Sequence, residues 1–179
     1  MGPSKATRTA RTQQVKTLYL LRHAKSSHDD ESLDDFDRPL SKRGKRDALA
    51  IASVIEQHCS AVQHIYSSPA KRCRSTIKRV RNALDAPSGE LTLDDALYTF
   101  DHTQLLAWLR DCDTRLQRIL VVGHNPALED LLIMLTGLDH KHFPTAGFAE
   151  LHLKVEYWDQ IRAGCAELIH FDSPKDIPH

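Results

Sequence analysis

Two arginines and two histidines in this chain sit in patterns that suit phosphate chemistry. Arg22 and His23 follow directly on the apolar run Thr17-Leu18-Tyr19-Leu20-Leu21. Arg72 comes one helical turn after Ser67-Ser68-Pro69, and His124 closes Val121-Val122-Gly123-His124. A guanidinium presents a planar donor fork that matches phosphate oxygens. An imidazole can attack phosphorus if one ring nitrogen is unprotonated and the other donates to an acceptor that fixes the tautomer. A second imidazole can hydrogen-bond an equatorial oxygen. Phosphoryl transfer needs chiefly positioning and charge complementarity, and these four residues offer both. His23 is therefore the candidate nucleophile, with Arg22, Arg72 and His124 completing the catalytic set. Lys25, Ser26 and Asn125 lie close enough in sequence to be further substrate contacts.

Such residues meet only if the chain brings three strand ends together. Short apolar runs alternate with amphipathic stretches, which predicts an α/β fold with a largely parallel sheet. Strands are expected at 17–21, 62–67 and 118–123, with a short one near 91–93 and two more at 148–155 and 165–171. Helices are expected from Lys42 to His58 with Ser41 as cap, from Ser68-Pro69 to about Leu84, from Thr103 to Cys112, and from Asn125-Pro126 to about Leu135, ended by Gly137. Both proline pairs read as an N-cap followed by a first-turn proline. Ligands bind at the carboxyl ends of parallel strands, where Arg22-His23, Ser67-Ser68 and Gly123-His124 all fall. The helix opening at Asn125-Pro126 should add free backbone N–H groups to the pocket. Lys71, Arg74, Lys78, Arg79 and Arg81 read as a solvated helix face around Arg72.

These motifs resemble a known family. Leu20-Leu21-Arg22-His23-Ala24-Lys25-Ser26 is similar to the Arg-His-Gly/Ala signature of the histidine phosphatase superfamily, the phosphoglycerate-mutase-like proteins. Residues 67–76, S-S-P-A-K-R-C-R-S-T, resemble its second motif, with the arginine at Arg72. Residues 121–126, V-V-G-H-N-P, resemble its third, with the histidine at His124. D-F-D-R-P-L-S-K-R-G at 35–44 and the short length resemble the SixA-type phosphohistidine phosphatases. The resemblance covers about residues 16–171. It implies a three-layer α/β/α sandwich on a mixed, mostly parallel sheet, and a metal-independent phosphatase working through a phosphohistidine at His23.

One departure from the wider superfamily bears on substrate. Mutases and alcohol-phosphate phosphatases carry an acidic residue in the stretch aligned with Ala96-Leu97-Tyr98-Thr99-Phe100-Asp101, and Thr99 stands in its place. An alkoxide leaves poorly without a general acid, whereas an imidazole leaves readily. The expected substrate is phosphohistidine on a protein. The alternative is a small-molecule phosphatase for a sugar phosphate or nucleotide, favoured if Asp101 or Asp95 can reach the leaving group. A catalytically idle phosphate-binding module is the third reading, and mutase activity the least favoured.

The bulk composition narrows the field. The 179 residues include 24 Lys plus Arg and 24 Asp plus Glu, a balance that argues against nucleic-acid binding. No apolar run approaches a membrane span, and the first residues lack the apolar stretch of a secretory signal. Cys59, Cys73, Cys112 and Cys165 form no C-x-x-C pair and read as buried reduced thiols of a cytoplasmic protein. The acidic loop from Asp29 to Asp37 lacks EF-hand spacing and reads as solvated. His140-Lys141-His142 lacks a third metal ligand and reads as loop. Trp108 and Trp158 read as packing residues. No metal or other cofactor is expected. Residues 1–15 are expected to be a flexible basic tail, 16–172 the domain, and 173–179 a C-terminal tail.

Overall fold

The computed structural model describes residues 15–59, 61–84, 89–139 and 142–177. Residues 1–14 of the expected N-terminal tail, residues 178 and 179 of the expected C-terminal tail, and His140 and Lys141 of the His140-Lys141-His142 segment lie outside them. Six strands form one sheet: β1 (Lys16–Arg22), β2 (His64–Ser67), β3 (Glu90–Leu93), β4 (Arg118–Gly123), β5 (Phe148–Leu153) and β6 (Ala166–Asp172). Their order is β3-β2-β4-β1-β5-β6. The first four in that order run parallel, and β5 and β6 add an antiparallel edge. Helices α1 (Lys42–His58), α2 (Lys71–Ala83), α3 (His102–Arg110) and α4 (Ala127–Thr136) cover the sheet. This is the expected three-layer α/β/α sandwich. No helix among the described residues is long and apolar enough to cross a membrane.

Strand alternation sorts the core into two halves. Leu18 and Leu20 of β1 and Ile119 and Val121 of β4 face Leu105 and Leu109 of α3 and Leu128, Leu131 and Leu135 of α4. Tyr19 and Leu21, with Leu120 and Val122, face Ile51 and Ile55 of α1 and Ile77 and Val80 of α2. Trp158 is fully buried, as a packing residue should be, and Trp108 packs half-buried against Tyr66. Cys59, Cys73 and Cys165 are buried free thiols, while Cys112 is only partly covered.

Register converts this sheet into a platform for chemistry. Arg22 pairs with Gly123 across β1 and β4, and Ser67 pairs with Val122 across β2 and β4. The next residues on each strand, His23, His124 and Ser68, therefore emerge side by side. The His23 amide donates to the Gly123 carbonyl at 3.2 Å and the Ser68 amide to the Val122 carbonyl at 3.0 Å, so each exit is pinned by one more ladder-like bond.

Neither proline pair caps a helix in the expected way. Helix α2 begins at Lys71 after Ala70, and the Ser68 hydroxyl accepts from the Ala70 amide at 3.3 Å, ahead of the helix, while also meeting His124. Helix α4 begins at Ala127 after Pro126, with Asn125 outside it. Its Leu128 amide bonds the His124 carbonyl, and Glu129 and Asp130 already complement its first turn. Gly137, at φ 69°, ends α4 in the left-handed conformation, as expected of a terminating glycine. Of the expected C-terminal tail, residues 173–177 are described and turn back on themselves. Ser173 is buried, and its amide and hydroxyl both donate to Asp176.

The start of α1 grips the backbone just beyond His23. The Ser41 amide and hydroxyl both donate to the Lys25 carbonyl, and Ser41 Oγ accepts from the Gly44 amide. A Cβ at Gly44 would lie 2.0 Å from that same carbonyl oxygen. We predict that Gly44→Ala destabilises the protein by about 1–3 kcal/mol, the usual cost of forcing atoms into a packed site. It should also lower activity by displacing Lys25. Gly137→Asn, which keeps a residue tolerant of positive φ with nothing nearby to clash, should cost less than about 1 kcal/mol. Urea unfolding of both variants checks this, and equal stability of Gly44→Ala and wild type would refute it.

Candidate active site

Arg22, His23, Lys25, Ser26, Arg72 and Asn125 line one open cleft of about 480 Å³ at the carboxyl end of the parallel strands. His124 lies just behind its wall, nearly fully buried, with its ring centroid 5.3 Å from that of His23. The sequence-predicted residues thus converge. Asp95 and Asp101 are not among the cleft residues.

Hydrogen bonding sets the tautomer of His23. Its Nδ1 lies 2.8 Å from the Ala24 carbonyl oxygen, which can only accept, so Nδ1 carries the hydrogen. The neutral ring then has its lone pair on Nε2. Burial pushes the His23 pKa down to about 4, opposed by that backbone bond and assisted by the charges of Arg72, Arg22 and Arg38. His23 is therefore neutral near pH 7, the state in which Nε2 is a nucleophile. The Ala24 carbonyl is held in turn, because the Ala24 amide donates to Thr76 Oγ1 and that hydroxyl donates to the Arg72 carbonyl. On the other side, the Ala146 amide donates to the His23 carbonyl at 3.1 Å. Ala146 sits at φ 56°, unfavourable for alanine, so surrounding packing must enforce it.

His124 is the opposite tautomer. Arg72 Nη2 approaches its Nδ1 at 3.1 Å, and a guanidinium can only donate, so Nδ1 accepts. Nε2 then carries the hydrogen and donates to Ser68 Oγ at 2.7 Å. Burial, followed by the neighbouring His23 and Arg72, pushes the His124 pKa down to about 3.

Arg72 is 2% exposed and needs a partner for its buried charge. Asp35 supplies one. Arg72 donates to the Asp35 backbone oxygen and, at 2.9 Å, to its carboxylate. Arg38 and the Tyr98 hydroxyl bind the same carboxylate at 2.9 and 2.8 Å. Burial alone would raise the Asp35 pKa, but hydrogen bonds from Tyr98 and Arg72 hold it below the ordinary value. Asp35 is exposed, as expected of this acidic loop, yet its carboxylate is also tied to Arg72, Arg38 and Tyr98. Asp29, Asp30, Glu31, Asp34 and Asp37 are exposed, as expected.

Arg22 is placed by the loop after α4. Its Nη1 donates to the Phe143 carbonyl at 2.8 Å. Glu129 Oε2 accepts from the Phe143 amide and from Asn125 Nδ2, and Asn125 donates to the Phe143 carbonyl as well. Asn125 was expected to contact substrate. It lines the cleft, and its amide donates to Glu129 of α4 and to the Phe143 carbonyl that also accepts from Arg22. Lys25 is exposed in the cleft and Ser26 is buried at its floor. Nor does α4 open into the pocket as expected, since its first residues, Ala127 and Leu128, are buried and outside the cleft wall.

The carboxylates lining the cleft, among the described residues, are Asp35 and Asp47. Asp35 is held ionised, and Asp47 pairs with Arg43 at 3.4 Å. Asp101 caps α3 by accepting from the Thr103 amide and hydroxyl, which lowers its pKa. Thr99 is buried with its hydroxyl on Gln104. No carboxylic acid is thus ready to donate a proton here. Sequence reasoning missed Ser68, Asp35, Arg38, Glu129, Phe100 and Ser173–Lys175 as parts of the site. The segment 35–44 quoted for the family likeness was the one signal that reached Asp35 and Arg38.

The chain is similar to known proteins in sequence and in fold. A sequence model of the histidine phosphatase superfamily, branch 1, matches residues 18–105. An uncharacterised Mycobacterium tuberculosis protein is 30% identical over 165 residues, spanning 87% of this chain and 100% of its own. A candidate phosphohistidine phosphatase SixA from Agrobacterium tumefaciens superposes with a TM-score of 0.75 at 30% identity, covering 89% of this chain and 98% of the other. A protein histidine phosphatase SixA complexed with tungstate shares the fold, at a TM-score of 0.73 and 22% identity over 89% of this chain and 97% of the other. The chain belongs to the histidine phosphatase superfamily, in its SixA-type branch, and is a phosphatase.

The two depressed histidines make stability depend on pH. Each titrates near its ordinary value of 6.5 when unfolded, but near 4 for His23 and 3 for His124 when folded. Between those values the unfolded chain binds more protons, so stability should fall as pH is lowered from about 6.5 toward 4. His124→Gln removes one of the two groups and should flatten that fall. Urea midpoints measured at about pH 7 and pH 5 decide it, and an unchanged slope in the variant would sink the assignment.

Proposed function

We propose that this enzyme removes phosphate from phosphohistidine on a protein, through a covalent intermediate on His23. The observation that carries this reading is the cleft without a poised carboxylic acid. In the first step His23 Nε2 bonds to phosphorus as the P–N bond to the substrate imidazole breaks. The departing nitrogen takes its proton from solvent. Water then attacks phospho-His23, which releases inorganic phosphate and restores Nε2. Arg22 and Arg72 hold the phosphoryl oxygens, and Lys25 and Ser26 flank them.

His124 stabilises the transferring group. When the Arg72 fork turns from Asp35 and from His124 to the phosphoryl oxygens, Nδ1 of His124 faces an anion and must become a donor. Ser68 permits this, because a hydroxyl can accept from Nε2 or donate to it. The pair can thus exchange tautomers without losing its 2.7 Å contact. The open cleft leaves room for a protein surface to approach, and its basic lining by Arg22, Lys25, Arg38, Arg43 and Lys175 favours an anionic partner.

His23→Ala should abolish turnover, and labelled substrate should leave an acid-labile, base-stable phosphoryl group on His23 in the wild type. A His23→Ala protein with full activity would end the mechanism. Ser68→Ala should lower kcat by roughly tenfold with little change in KM, since it removes a group that orients the second histidine. A change confined to KM would assign Ser68 to substrate binding. A substrate panel tests the function itself. Phosphohistidine should be cleaved faster than sugar phosphates by at least about 10²–10⁴-fold, the contribution a general acid makes when it is present. Equal rates would favour the small-molecule phosphatase instead.

A further inference from the structure

Phe100 is 45% exposed, yet it lines the same cleft as His23 and Arg72. It is the one phenyl side chain in that wall among the described residues. Its ring centroid lies 5.1 Å from that of His124, tilted by 46°. Tyr98 supports it edge-on at 5.5 Å. Tyr98 is itself fixed, through its hydroxyl on Asp35 and an edge contact with Phe36 at 5.2 Å. The phenyl group is therefore braced from the protein side and left open toward a cleft rich in charge. An aromatic face braced in this way beside the reacting residues can receive a planar group of a ligand.

The neighbouring residue sharpens the point. Thr99 is turned inward on Gln104, so this segment brings no proton donor to the cleft. It brings an apolar plane. A group leaving a phosphorus held at His23 departs into the cleft that this plane borders. An open-chain group such as glycerate has no ring to lay against a phenyl group, whereas an imidazole or aryl group presents a planar aromatic face.

We propose that Phe100 is a leaving-group subsite, stacking the planar ring that departs from phosphorus and selecting ring-bearing substrates over ringless ones. The inference rests on the reading of the cleft as the site where His23 takes up the phosphoryl group. It adds a specificity determinant to that reading and requires no further reacting group.

The test compares substrates that break at the same kind of bond. Phosphoimidazole and phosphoramidate both lose a P–N bond, but only the first releases a ring. In Phe100→Ala, the ratio of kcat/KM for phosphoimidazole to that for phosphoramidate should fall on the order of tenfold, the scale of one aromatic stacking contact. Phe100→Trp should restore the ratio, and Phe100→Leu should not. p-Nitrophenyl phosphate should behave like phosphoimidazole. An equal loss on all substrates would overturn the proposal by making Phe100 a support for His124, and so would a ratio that does not move. The two readings fail separately. A wild-type enzyme that ignores phosphohistidine refutes the proposed function, while a Phe100-dependent preference for p-nitrophenyl phosphate over phosphoramidate would still uphold the subsite.

Discussion

The site depends on the register of three adjacent parallel strands. Residues Leu21, Val122 and Ser67 stand next to one another across β1, β4 and β2. One further step along each chain brings out Arg22, Gly123 and Ser68, and one more on β1 and β4 brings out His23 and His124. A slip of one residue in any of these strands would turn its apolar row to the wrong face of the sheet, because side chains alternate with a period of two. The buried Leu, Ile and Val residues that fill both halves of the core therefore fix the register. In doing so they fix the spacing of two imidazoles and a hydroxyl. The chemistry is aligned by the hydrophobic core rather than by contacts among the reacting groups.

That alignment creates an electrostatic difficulty, which the surrounding residues resolve. Two guanidinium groups lie against two buried imidazoles, and four positive charges could not share so small a volume. The imidazoles give way, since a histidine can lose its charge and an arginine cannot. Each then needs a defined tautomer. The Ala24 carbonyl fixes one and the Arg72 fork fixes the other. The same burial that costs stability at low pH thus leaves His23 unprotonated near neutrality, with its lone pair on Nε2.

What was legible in the sequence follows this division. Arg22, His23, Arg72 and His124 could be found because strand-end residues inherit their place from hydrophobic periodicity, which local sequence displays. Residues whose roles depend on contacts distant along the chain could not. Ser68 beside Pro69 has the local pattern of a helix cap, but its hydroxyl is claimed by His124, 56 residues away. Asn125 beside Pro126 carries the same pattern, and its amide is claimed by Glu129 and the Phe143 carbonyl. Asp35 was hidden among five other acidic residues of its loop, because nothing local distinguishes the one carboxylate that meets Arg72. Residues 173–175 follow the last strand in a short polar stretch, and only their position shows that they return to the cleft.

Asp35 also explains how so exposed a cleft can hold a buried arginine. Arg72 has nearly no contact with water, and a guanidinium left without a counter-charge there would be strongly destabilising. A carboxylate on a surface loop meets that need while no phosphoryl group is bound. It carries one negative charge and is shared among Arg72, Arg38 and Tyr98. In the proposed reaction a phosphoryl group would bring up to two negative charges and three oxygens to Arg22 and Arg72 together. The exchange replaces one paired state of Arg72 by another and never exposes the charge unpaired. The loop that carries Asp35 is also joined to the barrier behind the reacting groups, through Tyr98 to Phe100. One carboxylate thus contacts both the buried arginine and the tyrosine that supports the aromatic wall.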